Sequence, residues 1–206
     1  MIRKTLLLVL MMIALSAVQS QDYETLKQAF LESYTFEDKG DYAGAIDLLK
    51  QHYPDNKDMY EINLRLGWLS YLSGNFTEST SYYAKAVELK PLSVEARFGY
   101  IYPASSLGNW EQVKNQYEKI LEIDPQNTRA NYYLGMIYYG REDYQSAYKY
   151  FEKVVNLYPF DYDGLLMLAW TNLKLGKTRE AKVLFQKCLL NQPDDESALE
   201  GLGLIQ

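Results

Sequence analysis

Large apolar residues recur at Leu49, Tyr83, Tyr117, Phe151 and Phe185, each 34 residues after the last. Small or β-branched residues keep the same interval at Ala45, Ser79, Val113, Ala147 and Ala181, and aromatic ones stand at Tyr42, Phe76, Trp110 and Tyr144. A fixed period of this length predicts repeated helical hairpins, because one hairpin buries a single stripe per helix and needs neighbours to cover the rest. Punctuation follows the same beat. Gly40, Gly74, Gly108 and Gly176 are expected to turn the chain after each first helix at positive φ, where glycine is unstrained. Pro91, Pro125, Pro159 and Pro193 are expected to close each second helix, since proline lacks an N–H and disfavours helical geometry in the residue before it. Gly67 and Gly135 fall where two helices should cross closely, a column that elsewhere holds Ala169 and Ile101.

Departures from the pattern are local. The first unit has Glu32 where the others carry Leu66, Tyr100, Leu134 and Leu168, and its Pro54 arrives three residues early; an end repeat with one less-buried side tolerates both. In the fourth unit Glu142 occupies the turn column and Gly140 comes two residues before it, so the first helix is expected to stop half a turn short. Pro103 lies about ten residues into a first helix, where its ring should press on the carbonyl of Gly99 and kink the helix or end it early, unless it is tolerated on the outer side.

The stretches LRLGWLSYLSGNFTESTSYYAKAVELKP, YYLGMIYYGREDYQSAYKYFEKVVNLYP and LMLAWTNLKLGKTREAKVLFQKCLLNQP resemble tetratricopeptide repeats, with a Leu-Gly or Leu-Ala pair, a turn Gly, a second-helix Ala and a closing Pro. The resemblance runs through five repeats, about 26–59, 60–93, 94–127, 128–161 and 162–195, followed by a capping helix over 196–206. It implies an all-α fold, a right-handed α-solenoid whose concave face is lined by the first helix of each hairpin and binds proteins or extended peptides without catalysis. The register carries that lining onto Tyr34, Trp68, Tyr71, Phe98, Tyr102, Tyr132, Met136, Tyr139 and Trp170, with Phe30, Leu64, Leu166 and Leu173 beside them. Steps of three and four keep each set on one helix face. Two readings of these rings stand side by side, an exposed lining or filler between hairpins. The family's clamp for chaperone tails, built from Lys, Asn and Arg, is not matched, because only Arg65, Arg129 and Lys174 offer positive charge near the groove.

Residues 1–20 follow other rules. MIRK gives a basic start, TLLLVLMMIALSAV an apolar run too short to span a bilayer, and Val18 and Ser20 are small enough to precede a cleavage point. A secretory signal peptide is expected, with a mature chain from Gln21 that is periplasmic or secreted and keeps no stable membrane span. Its removal takes away Arg3 and Lys4 and no acid, so the net charge moves from −6 to −8. An acidic chain without clustered Lys and Arg is a poor nucleic-acid binder, since phosphate contacts supply most of that affinity.

At 206 residues and 48% apolar the chain is long enough for a continuous core, and 20 tyrosines are its compositional oddity. Candidate chemistry is thin. Cys188 is alone and falls in a core column; His52 shares that column and has no partners that would complete a site. No zinc spacing or phosphate loop appears, so neither metal nor cofactor is expected. Asp161 and Asp163 lack the rest of a calcium loop and read as a helix start. Asn75-Phe76-Thr77 is a glycan acceptor only in a eukaryotic secretory route. Glu37, Glu61, Glu95 and Asp163 near the groove read as one solvent-side charge per helix. The expected function is a non-catalytic scaffold for a protein or peptide; the alternative is a carbohydrate-binding or enzymatic subunit using the same groove. A homo-oligomer is a further option, because solenoid ends stack, although Glu196 and Glu200 make the last helix polar.

Overall fold

The structure is a computed structural model that describes residues 22–205; the leader read at 1–20 lies outside the described residues. Every described segment is helical or a turn. Helix α1 covers 22–38, and ten more follow: α2 Tyr42–Asn56, α3 Tyr60–Leu72, α4 Phe76–Leu89, α5 Val94–Ser106, α6 Trp110–Ile123, α7 Thr128–Gly140, α8 Tyr144–Leu157, α9 Tyr162–Lys174, α10 Thr178–Asn191 and α11 Glu196–Gly203. The helices form two compact units, α1–α5 up to Gly108 and α6–α11 from Asn109. Within each unit consecutive helices pack in chain order, and first helices also touch across a repeat, α3 on α5 and α7 on α9. This is an α-solenoid of helical hairpins.

Large side chains from the second helices make the core. Phe151 and Phe185 are fully buried, and Tyr83 and Tyr117 nearly so. Their fit depends on missing side chains opposite. A Cβ added to Gly67 would lie 3.0 Å from the Tyr83 ring and one added to Gly99 would lie 2.1 Å from it, so this ring is held between two glycines. Gly201 relates to Phe185 in the same way, at 2.2 Å.

Loops are pinned by a column the sequence did not advertise. Asn63 Nδ2 donates to Lys57 O, an Arg97 Nη donates to Pro91 O, and Asn131 Nδ2 donates to Pro125 O, each reaching back six residues to the turn before its own helix. Side-chain caps do the rest at helix starts. Ser93, Asn127, Asp161 and Asp195 accept from the amides of Ala96, Ala130, Gly164 and Ala198. Asp161 is thus a cap, as read.

Gly40, Gly74, Gly108 and Gly176 all adopt positive φ. The fourth unit differs from expectation: α7 does not stop short but matches the other first helices in length, and Glu142 itself takes the left-handed conformation at φ 60°. The turn geometry is demanded by packing on either side, which overrides the side-chain preference of one residue. Pro103 also departs from expectation. Helix α5 continues through it to Ser106, and Pro103 is buried, not on the outer side. It stands in the column of Leu69, so burial of its ring against the hairpin interior offsets the lost hydrogen bond. Pro54 likewise sits inside the last turn of α2, which runs on to Asn56. The last helix closes at Gly203, within the range expected for the cap, and Glu32 is exposed on α1.

Candidate functional site

In the first unit, α1, α3 and α5 open a cleft of about 850 Å³, lined by Phe30, Tyr34, Tyr60, Glu61, Leu64, Arg65, Trp68, Tyr83, Glu95, Phe98, Gly99 and Tyr102. The predicted lining residues Tyr34, Trp68, Phe98 and Tyr102 therefore share one cavity. Tyr71 stands beside it: its ring centroid is 5.5 Å from Tyr102, 5.9 Å from Trp68 and 5.8 Å from Phe76. Trp68 meets Tyr102 edge-on at 6.3 Å. Such tilted and T-shaped contacts are the preferred geometry between aromatic quadrupoles.

The cleft's polar groups are more organised than one solvent-side charge per helix. Arg65 lies buried on α3, 3.8 Å above the Tyr34 ring, with its Nε on Ser33 Oγ at 3.0 Å and its Nη1 on Glu37. Glu37 also accepts from the Trp68 indole at 2.7 Å. Arg65 is thereby neutralised and sequestered, the opposite of a positive charge offered to the groove. At the other side Tyr60 Oη donates to Glu95 at 3.1 Å and shares a hydrogen bond with Ser93. Burial, ahead of the neighbouring carboxylates, raises the Tyr60 phenol above its usual value. Lys90 Nζ sits 4.1 Å over the same Tyr60 ring and pairs with Glu61. Backbone amide hydrogen bonding, then Lys90, holds the Glu61 carboxyl below the usual range.

In the second unit the predicted residues are distributed along α7 and α9. Met136 is exposed; Tyr132 and Tyr139 are half-buried, packed against Ala147 and Phe151, and burial raises both phenols. Tyr139 meets Tyr144 edge-on at 5.3 Å. Trp170 lies across Phe185 at 5.2 Å, and its indole donates to Ser197 on α11 at 2.9 Å. The rings are thus neither wholly exposed nor wholly core. One edge packs and the other faces outward.

Sequence reasoning placed the rings by register but missed Tyr60 and Tyr83 as lining and Glu37 as the group that organises Arg65 and Trp68. Register carried a signal for Tyr60, since Glu61 and Leu64 follow it directly on the start of α3, but a first-turn residue is easily read as a cap. Cys188 is buried, and burial pushes its thiol up to about 11. Among the described residues no three His, Cys, Asp or Glu side chains converge to hold a metal. No described helix is long and apolar enough to cross a membrane.

Models of the tetratricopeptide repeat match residues 30–94, 128–161 and 163–195, more than half of the chain between them. The chain belongs to the tetratricopeptide repeat family. It is 28% identical over 166 residues to the TPR repeat-containing protein YpiA of Bacillus subtilis, a stretch that is 80% of this chain and 39% of that protein. The chain therefore spans about two fifths of the length of this relative. Among solved structures, a tetratricopeptide repeat protein from Parabacteroides merdae superposes with a TM-score of 0.75 at 24% identity, covering 87% of this chain and 71% of that one. YrrB, described as a TPR protein with an unusual peptide-binding site, superposes with a TM-score of 0.72 at 14% identity, covering 92% and 97%. At these identities the likeness speaks for the fold of this TPR chain.

Proposed function

We propose that this TPR chain is a non-catalytic scaffold that holds an extended protein segment in the aromatic cleft between α1, α3 and α5. The observation that carries the reading is the cleft itself: Phe30, Tyr34, Trp68, Phe98 and Tyr102 present ring edges and faces around one cavity large enough for several side chains. Tyr and Trp give large contact area with few rotatable bonds, which suits binding by burial. The outward edges of Tyr132, Met136 and Tyr139 offer the second unit a surface of the same kind. Peptide binding by the structurally similar YrrB supports the class of ligand. Against catalysis, Glu61 is shifted the wrong way for a general acid and Glu37 is committed to Arg65 and Trp68. We place the working form outside the cytoplasm, in the periplasm or beyond, on the strength of the leader pattern at 1–20.

Selection of peptides from a displayed random library, followed by titration against Trp68→Ala and Tyr102→Ala, tests the binding surface. Truncating a central aromatic anchor costs about 2 kcal/mol, roughly thirtyfold in affinity. Full affinity in both folded variants overturns the reading. Amino-terminal sequencing of exported protein tests the location, with Gln21 expected first.

A further inference from the structure

We propose that Tyr138 and Tyr150 form an oxidative cross-linking site, at which hydrogen peroxide acting through a haem peroxidase joins the two rings into dityrosine. Tyr138 stands on α7 and Tyr150 on α8, and their rings stack with centroids 5.5 Å apart and planes 10° from parallel. The hydroxyls are neighbours as well. Burial raises the Tyr150 phenol, and Tyr138 raises it further through its charge and a hydrogen bond. Each coupling position, the ortho carbon, adjoins the carbon that bears the hydroxyl, so neighbouring hydroxyls on parallel rings bring the two coupling positions together.

A proton acceptor is already in place. Glu118 Oε1 on α6 stands 3.5 Å from Tyr138 Oη, and Lys114 holds that carboxylate at 2.7 Å while its Nζ lies 5.7 Å over the Tyr138 ring. An oxidised phenol sheds a proton with its electron, and a carboxylate beside the oxygen is the group that takes it. Both rings are half-buried, which hinders coupling to a tyrosine of another molecule. Other pairs are less well arranged. Tyr139 and Tyr144 flank the same turn but meet at 69°, the edge of one ring against the face of the other. Tyr117 and Tyr133 stack at 12°, but Tyr117 is 5% exposed.

The chemistry balances with peroxide as the oxidant. Each phenol gives up one electron and one proton, the two radicals couple ortho carbon to ortho carbon, and the ortho hydrogens then move to the oxygens to restore both phenols. Two hydrogens leave in all, and with them peroxide becomes two waters. The sequence holds one cysteine, so no disulfide within the chain can brace this repeat. A bond between 138 and 150 would close a loop around the turn in which Glu142 holds positive φ, restricting the unfolded chain as a disulfide does.

The test treats the purified chain, kept dilute, with a haem peroxidase and hydrogen peroxide, and maps the product by trypsin digestion and mass spectrometry. The expected product is a monomer lacking two hydrogens in which ANYYLGMIYYGR, residues 130–141, is joined to YFEK, residues 150–153, with fragmentation placing the bond at Tyr138. Tyr138→Phe, which keeps the stack and removes a hydroxyl, is expected to abolish the joined peptide, and Tyr144→Phe to leave it. Glu118→Gln is expected to slow its formation. The cross-linked chain should also unfold at a higher urea concentration than the untreated one. A bond mapped instead to Tyr139 and Tyr144 or to Tyr117 and Tyr133 overturns the proposal, as do products that link separate chains alone, a digest with no joined peptide, and a joined peptide that persists in Tyr138→Phe. An unchanged rate in Glu118→Gln removes the carboxylate from the site, and an unchanged urea midpoint removes the bracing role.

Discussion

The indole of Trp68 on α3 donates to Glu37 on α1, and the same carboxylate neutralises the buried Arg65 one turn before the indole. A single acid on one repeat therefore orients both the aromatic anchor and the cation of the next.

Glu37→Ala is expected to destabilise the first unit by about 3 kcal/mol, because it strands a guanidinium that is only 7% exposed. Trp68→Phe, which keeps most of the ring and loses one charge-assisted bond, should cost about 1.5 kcal/mol. Urea unfolding of both variants measures the difference, and equal small losses would show that Arg65 finds water instead.

Glu142 is the one non-glycine residue at positive φ among those described. Replacing it with glycine removes a left-handed penalty of about 1–2 kcal/mol and returns some chain entropy to the unfolded state, a net gain of about 1 kcal/mol. Gly74→Ala, at φ 79°, should lose a similar amount. Thermal melts of the two variants should move in opposite directions.

Glycine replacements should also separate by neighbour. Gly99→Ala places a methyl 2.1 Å from a Tyr83 ring atom and is expected to cost about 3 kcal/mol, at the upper end of core overpacking. Gly203→Ala meets nothing within 4 Å and should be neutral or stabilising by about 0.5 kcal/mol. Denaturant midpoints check both.

Alkali should unfold the protein as its buried phenols Tyr82 and Tyr83 are forced to ionise. Burial raises Tyr82 to about 12 and carries Tyr83 higher still. A phenol whose folded value lies above its unfolded value contributes stability that is complete below about pH 10 and is lost as pH climbs toward 12. Phenolate absorbance and circular dichroism followed together should show a joint transition in that window. Cys188, raised to about 11, should stay unreactive to a thiol reagent until urea is added.

The period carried most of the fold in plain view. Turn glycines, closing prolines and the columns of Ala45 and Leu49 repeat because every hairpin solves the same packing problem, so the sequence states the solution several times over. What it hid were pairwise arrangements that occur once. Arg65 looked available until Glu37 and Tyr34, about 30 residues away, were seen to enclose it. Pro103 broke a local rule, but its consequence was set by the buried space around its column, which no local rule contains. Glu142 was misread for the same reason. The groove rings were legible as a face by register, whereas their half-burial depended on partners such as Ser197 and Phe76 on other helices.

Tyr83's place between Gly67 and Gly99 has a meaning for anyone who would rebuild this array. The ring belongs to the second repeat, yet the room for it is supplied partly by the third. Copying residues 60–93 in tandem would set Arg65 of the copy where Gly99 now stands, against a ring that leaves no space for a side chain. Repeats that look interchangeable in register are therefore ordered like numbered stones in an arch, and any shortened or extended version must cut where the glycine travels with the ring it accommodates.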